Sequence, residues 1–252
     1  MDDRIVTIIP ARLGSSRFPG KPLAPLLGRP MIEHVWRRAS MCAGVAETYV
    51  ATCDHEIREV AERFGSQVIM TSPLHERAAD RIAEAAQHVN ADIVVMVQGD
   101  EPMITPGMIS TALGPMLEDR SIDCTNLICR IRDAAEYLDR NTVKVVIDQS
   151  GNALYFSRAP IPAIDSSQLE TIPVYKQVCV IPFRRKFLAD FTRLEPTPLE
   201  RAESIDMLRA LEHGLRVRLV ITEAETHAVD TPNDLRLVES LLVRGVQNLT
   251  AW

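Results

Sequence analysis

The sequence predicts an α/β protein with a mostly parallel central sheet flanked by helices. Through the first half, short β-branched runs alternate with longer segments whose apolar residues recur at helical spacing, the pattern of successive βαβ units. One run, Asp92-Ile93-Val94-Val95-Met96-Val97-Gln98, is apolar almost throughout, as suits a strand covered on both faces. In the second half, short strands joined by turns add an antiparallel component.

In chain order, Arg4–Ile9 reads as the first strand and Met31–Ala39 as the first helix, with Met31, Val35 and Trp36 facing inward. Glu47–Thr52 is the second strand, followed by a helix over 55–64. Ser66–Met70 gives a third strand, 77–88 a helix, and 92–98 the fourth strand. The runs 124–129, 143–148 and 153–157 are strands, and Gln149-Ser150-Gly151-Asn152 is a hairpin signal between the last two. Pro160, Pro162 and the polar stretch 165–171 predict a loop or projecting arm. Val178–Phe183 reads as a strand, then helices over 198–213 and 233–242 flank a strand at 216–222. No repeat or long linker is visible, so one domain spanning 1–252 with an inserted arm accounts for the pattern.

Composition excludes several function classes. The chain is 46% hydrophobic and 25% charged, close to an ordinary soluble domain. No apolar run reaches the roughly 18 residues of a membrane span, and the start, Met1-Asp2-Asp3-Arg4, lacks the apolar core of a secretory signal. A cytoplasmic protein with no membrane partner is expected. A net charge of -6 disfavours nucleic acid, which requires clustered Lys and Arg to displace counterions. Cys42, Cys53, Cys124, Cys129 and Cys179 have no zinc-like spacing and read as reduced thiols.

Three segments carry chemistry. The loop after the first strand concentrates Arg12, Gly14, Ser15, Ser16, Arg17, Gly20 and Lys21. Glycines let backbone N–H groups approach anionic oxygens, hydroxyls add donors, and the cations neutralise charge, so a triphosphate suits it. It is neither a Walker motif nor a GxGxxG fingerprint, and an ordinary polar connection is the alternative. Gln98-Gly99-Asp100-Glu101-Pro102 follows the most apolar strand. Its Asp100 either holds Mg²⁺ against phosphate oxygens or caps a following helix opened by Pro102 or Pro106. In His227-Ala228-Val229-Asp230-Thr231-Pro232, Thr231 reads as a helix N-cap and Asp230 as a second carboxylate facing Asp100.

Together and in this order, these segments resemble the CMP-Kdo synthetases, cytidylyltransferases that activate the sugar acid 3-deoxy-manno-octulosonate (Kdo). The resemblance runs from about Ile5 to Leu242 and includes Met31-Ile32-Glu33-His34-Val35, Val50-Ala51-Thr52-Cys53-Asp54, Asn141-Thr142-Val143-Lys144-Val145-Val146, Ala153–Pro162 and Pro198-Leu199-Glu200. It implies a Rossmann-like nucleotidyltransferase fold that binds CTP and Mg²⁺, forms a homodimer, and carries an inserted antiparallel dimerisation arm and acceptor-side strands within about 150–200. By matching position, it implies catalytic roles for Arg12, Lys21 and Asp100, and metal ligation by Asp100 and Asp230. The implied nucleotide contacts are Pro10, Ala11, Arg12, Gly14, Ser15, Lys21, Arg77, Ala78, Asp80, Arg81, Gln98 and Gly99. Gln98, Arg158, Gln177, Asp206 and Met207 fall on the acceptor side.

The departures cluster on that side. Where the family has Ser-Gly-Thr before Asp-Arg, this chain has Arg77-Ala78-Ala79. Where the family has His followed by Gly-Ile-Tyr, it has Gln177 and Cys179-Val180-Ile181. A family Glu-Gln-Leu-Arg becomes Asp206-Met207-Leu208-Arg209. A buried sugar hydroxyl left without a partner costs about 1–3 kcal/mol, so two acceptors remain open: Kdo or a related sugar acid, and a small phosphonate such as phosphonoformate, which would draw on Arg158 and Lys176. Another nucleotide base, and a non-catalytic nucleotide-binding protein, are the remaining alternatives.

Overall fold

The computed structural model describes residues 3–15 and 17–246; Ser16 of the glycine-rich loop lies outside them. The chain forms β1 (Ile5–Ala11), β2 (Pro25–Leu26), β3 (Arg29–Pro30), α1 (Met31–Ser40), β4 (Val45–Thr52), α2 (His55–Arg63), β5 (Gln67–Met70), α3 (Ala78–Ala85), β6 (Ile93–Val97) and α4 (Pro106–Glu118). It continues through β7 (Thr125–Ile131), α5 (Ala134–Leu138), β8 (Lys144–Ile147), β9 (Ala153–Ser157), β10 (Val174–Gln177), β11 (Val180–Arg184), α6 (Arg185–Phe191), α7 (Pro198–Glu203), α8 (Asp206–Glu212), β12 (Arg218–Thr222) and α9 (Pro232–Val246).

One sheet has the order β11-β6-β1-β4-β5, with β6, β1, β4 and β5 parallel and β11 antiparallel at one edge. Every residue of β1 and β6 is buried, as their sequences, apolar throughout except for Thr7 of β1, require of central strands. The other sheet has the order β12-β7-β10-β8-β9 and is antiparallel except for the β12–β7 pair. One apolar core joins the two: Val6, Ile8, Val94 and Met96 of the first sheet pack with Ile128, Val145 and Phe156 of the second.

Several elements follow from local chemistry. In α1, Met31 and Val35 are fully buried as expected, while Trp36 is half-buried, donates to the Thr48 carbonyl at 3.2 Å and packs on Phe64. The 149–152 turn forms the β8–β9 hairpin, with Gly151 at φ 81° and Asp148 Oδ1 accepting from Ser150 and Asn152 N–H. Thr231 caps α9: its hydroxyl accepts from Asp234 N at 3.3 Å, and the Asp234 carboxylate accepts from Thr231 N at 2.7 Å, a reciprocal cap.

The observed elements differ from the expected ones at three places. The strand expected over 178–183 is β11, which starts two residues later at Val180, and an unanticipated strand, β10, ends just before it at Gln177 in the other sheet. The helix expected over 198–213 breaks at Ser204, which adopts φ 56°, giving α7 and α8. Helices α5 and α6 were not anticipated as elements, and α4, which opens at Pro106, was anticipated only as the helix that Asp100 would cap. The stretch 158–173 is an irregular loop, as expected, and is held to its own chain where the Tyr137 hydroxyl donates to the Pro162 carbonyl at 2.7 Å and Ile164 and Leu169 pack with Ile131, Tyr137 and Val174.

Candidate active site

The cleft lies beyond the carboxyl ends of β1 and β6, where ligands of open α/β sheets bind, and continues along the second sheet; its volume is about 640 Å³. The sheets join at its floor through Val178 and Cys179. Val178 N–H donates to the Leu127 carbonyl at 2.9 Å, Gln98 N–H to the Cys179 carbonyl at 3.0 Å, and Cys179 N–H to Glu101 Oε1 at 3.1 Å. Gly99 lets the two backbones come close here: a Cβ would stand a tight 3.2 Å from the Pro10 carbonyl oxygen. Glu101 is enclosed, with Oε2 accepting from Thr226 Oγ1 at 3.2 Å. Burial, aided by the Asp100 charge, pushes its pKa up to about 7.

The glycine-rich loop is held from within and from below. Ser15 and Gly20 N–H both donate to the Leu13 carbonyl, and Leu13 N–H donates to Asp54 Oδ2 at 2.8 Å. Asp54 thus anchors the loop, a role that only tertiary contact reveals. Gly20, at φ 72°, supplies the left-handed turn that a side chain would resist and sends Lys21 back into the cleft. Arg12 is exposed on the cleft wall.

Lys21 meets two carboxylates. Its Nζ lies 2.6 Å from Asp100 Oδ2, 3.5 Å from Asp230 Oδ1 and 2.8 Å from the Val229 carbonyl. A hydrogen bond from Val229 N–H to the Asp100 carbonyl at 2.9 Å brings the two segments together. Arg17 adds a second cation, 3.0 Å from Asp230 Oδ1. Burial works against the ammonium, but the Asp100 charge and hydrogen bond carry the Lys21 pKa above its ordinary value. Burial, reinforced by the Asp100 charge, raises that of Asp230. Asp100 is therefore not a helix cap; Thr105 caps α4, accepting from Met108 N–H at 3.2 Å. Two converging carboxylates that repel each other and draw in cations are a donor set of the hard oxygen type that suits Mg²⁺.

Across the cleft, Arg158 is built into the wall. Its N–H and Nε bind Glu203 at 2.8 and 2.6 Å, and its guanidinium reaches the carbonyls of Arg140 at 3.1 Å and Ser204 at 3.4 Å. Burial, and then the facing Arg17 charge, lower its pKa. Arg77 bridges to the same bend, donating to Ser204 Oγ at 2.6 Å and lying 3.5 Å from Glu200. Asp206 accepts from Ala79 N–H at 3.2 Å, and burial raises its pKa.

Pro10, Ala11, Gly14, Ser15, Ala78, Arg81 and Gln98 join these residues in lining the cleft. Arg81 is held by Thr71 Oγ1 at 2.5 Å. Asp80, expected at the nucleotide, does not line the cleft; it lies 3.2 Å from the buried guanidinium of Arg209, which also holds Glu200. Gln177 donates to Asn126 Oδ1 at 2.6 Å, and Met207, only 1% exposed, contributes wall rather than a hydrogen bond. Lys176 is engaged by Glu136 and by the Thr226 carbonyl. His75, at the cleft edge, pairs with Glu84.

Comparison with known proteins agrees with this geometry. Residues 6–219 match the family model described as Cytidylyltransferase. A protein of Geobacter metallireducens named 3-deoxy-manno-octulosonate cytidylyltransferase is 46% identical over 248 residues, covering 94% of this chain and 98% of its own. A protein of Solibacter usitatus with the same name is 42% identical over 252 residues, 98% of this chain and 100% of its own. Among solved structures, a CMP:2-keto-3-deoxy-manno-octonic acid synthetase complexed with CTP superposes with a TM-score of 0.87 at 41% identity, over 96% of this chain and 99% of that one. A 4-diphosphocytidyl-2C-methyl-D-erythritol synthase from Anaerococcus prevotii shares the fold, with a TM-score of 0.63 at 14% identity, over 96% of this chain and 99% of that one.

Proposed function

Because the chain belongs to the cytidylyltransferase family, we propose that it transfers CMP from CTP to Kdo and releases pyrophosphate. The observation that carries this is the facing of the Arg12–Lys21 loop and the Asp100–Asp230 pair within one cleft. An acceptor oxygen attacks the α-phosphorus of CTP in line; the new P–O bond forms as the bond to the β-phosphate oxygen breaks, and the acceptor's proton leaves to solvent. Arg12 and Lys21 neutralise charge on the phosphate oxygens, and the backbone N–H groups of the loop add donors. Asp100 and Asp230 would hold Mg²⁺, which when bound supplies charge for the pyrophosphate leaving group. Positioning and electrostatics suffice, so no covalent nucleophile is needed.

Arg158 faces the carboxylate of the acceptor, while Gln98, Gln177 and Asp206 line the acceptor end. Their internal partners show how this chain rebuilds the altered positions: Gln177 on Asn126, Asp206 on Ala79, Met207 in the core. Lys176, the extra cation a phosphonate would use, is already neutralised by Glu136, which favours Kdo. We further propose that the enzyme works as a cytoplasmic homodimer. Among the described residues no helix is long and apolar enough to cross a membrane. Purified protein given CTP, Mg²⁺ and either Kdo or phosphonoformate is expected to release pyrophosphate with Kdo. Release with phosphonoformate alone would overturn the assignment of the acceptor, and CTP binding without turnover would favour a non-catalytic role.

A further inference from the structure

Among the described residues, one of the largest fully buried side chains is a lysine that the proposed reaction does not use. Lys144 opens β8 with no exposed surface. Its Nζ donates to three backbone carbonyls: Asp139 at 2.7 Å, Thr142 at 2.6 Å and Arg158 at 2.8 Å. An ammonium has three protons and no acceptor, so the three carbonyls use it fully. Two of them belong to the loop between α5 and β8, and the third to the residue that follows β9.

That loop forms one wall of the cleft through Asp139, Asn141 and Thr142. It also touches both arginines that face each other across the opening. Asn141 Oδ1 accepts from Arg17, and the Arg140 carbonyl accepts from Arg158 NH1 at 3.1 Å. One buried ammonium therefore fixes the backbone from which Arg158 projects and the loop that holds the heads of Arg158 and Arg17. We propose that Lys144 is the positioning residue of these two guanidiniums, and that through them it sets where the anionic group of the acceptor binds.

The triphosphate grip meets this hub only where Arg17 reaches Asp230; Lys21, Asp100 and Asp230 are otherwise joined to one another and to Val229. Loss of Lys144 should therefore fall on the acceptor more than on CTP. Burial lowers its pKa to about 8, and the charged groups facing it are Asp139, Arg140, Arg158 and Glu203. Above that pH a neutral amine has two N–H bonds for three carbonyls, so the loop loosens.

The test uses the whole enzyme and the variants Lys144→Met, Lys144→Arg and Asn141→Ala, and it rests on the proposed transfer to Kdo for its kinetic arm. Displacement of a binding group by about 1 Å can cost on the order of 100-fold. Lys144→Met is thus expected to raise the KM for Kdo about tenfold or more and to move the KM for CTP about threefold or less, with Asn141→Ala changing the same KM in the same direction. In the wild type the Kdo KM rises above about pH 8, and in Lys144→Arg, whose guanidinium keeps its charge, it does not. Equal effects on both substrates, or a lowered Tm with neither KM changed, would assign Lys144 a purely structural role. Should Lys144→Met fail to fold, a Kdo KM that is flat through pH 8 in the wild type and unchanged in Asn141→Ala overturns the proposal. Amide hydrogen exchange across 139–142 needs no acceptor: faster exchange in the folded variants supports the hub and unchanged exchange refutes it, even if the enzyme proves inactive on Kdo.

Discussion

Replacing Lys21 with Met removes the cation shared by Asp100 and Asp230. The ammonium is 2.6 Å from one carboxylate oxygen and 3.5 Å from the other. At an effective dielectric of about 20, unit charges at those separations attract by about 6 and about 5 kcal/mol. Desolvation of the ammonium and the wet edge of the site cancel most of this, leaving on the order of 1–3 kcal/mol, the range of charge-assisted hydrogen bonds. In Lys21→Met, Arg17 remains as the nearby cation, 3.0 Å from Asp230, and the paired carboxylates are open to a metal. Since about 1.4 kcal/mol is a factor of ten, the nucleotide-free variant should bind Mn²⁺ about tenfold more tightly than wild type. The same substitution should weaken CTP binding by about tenfold to 100-fold, because a phosphate oxygen loses its charged donor. Calorimetric titration with Mn²⁺ and separately with CTP reads both. Equal or weaker Mn²⁺ binding by Lys21→Met would refute the idea that Lys21 and a metal compete for Asp100 and Asp230.

Asp100→Asn and Asp230→Asn should each lower kcat for CTP turnover by about 100-fold or more while the fold, followed by circular dichroism, is kept; undiminished turnover would remove the metal assignment. Glu200 and Arg209 form a buried two-pronged pair at 2.7 and 2.8 Å. Breaking such a pair costs about 3–5 kcal/mol, so Glu200→Gln should lower Tm by roughly 6–20 °C at about 2–4 °C per kcal/mol. Burial opposes the Glu200 charge, but the Arg209 hydrogen bonds hold its pKa below the ordinary value. Its contribution is therefore present above the unfolded carboxylate range and is lost as pH falls through the lowered pKa; the acid limb of the stability curve should flatten in Glu200→Gln. Gly99→Ala, which places a Cβ 3.2 Å from the Pro10 carbonyl, should reduce kcat/KM for CTP about tenfold with a small change in Tm.

Sequence patterns expose what is local. The strands of the first sheet were legible because Ile5–Ala11 and Ile93–Val97 are apolar on both faces, and the loop and its two carboxylates were legible because charge there has no packing reason. Only the start of α4 at Pro106 was legible: Met108, Ile109, Ala112, Leu113 and Met116 form its buried face, but Gly107, Gly114 and Pro115 interrupt the reading of its body. The break at Ser204 carries no glycine to announce its positive φ. The sheet switch between Gln177 and Val180 spans only Val178 and Cys179, with no glycine or proline to mark it, so the sequence pattern does not reveal it. Asp54, Lys144 and the diversion of Asp80 to Arg209 depend on residues 41, 14 and 129 positions away, and spacing along the chain says nothing about them.

The most direct measurement of the central claim is the product formed when purified enzyme, CTP, Mg²⁺ and Kdo are combined, followed by mass spectrometry with pyrophosphate release in parallel. CMP-Kdo and pyrophosphate in equal amounts, abolished together by Asp100→Asn, is the expected result. CTP left intact in the presence of Kdo, by a protein that binds CTP, would contradict it.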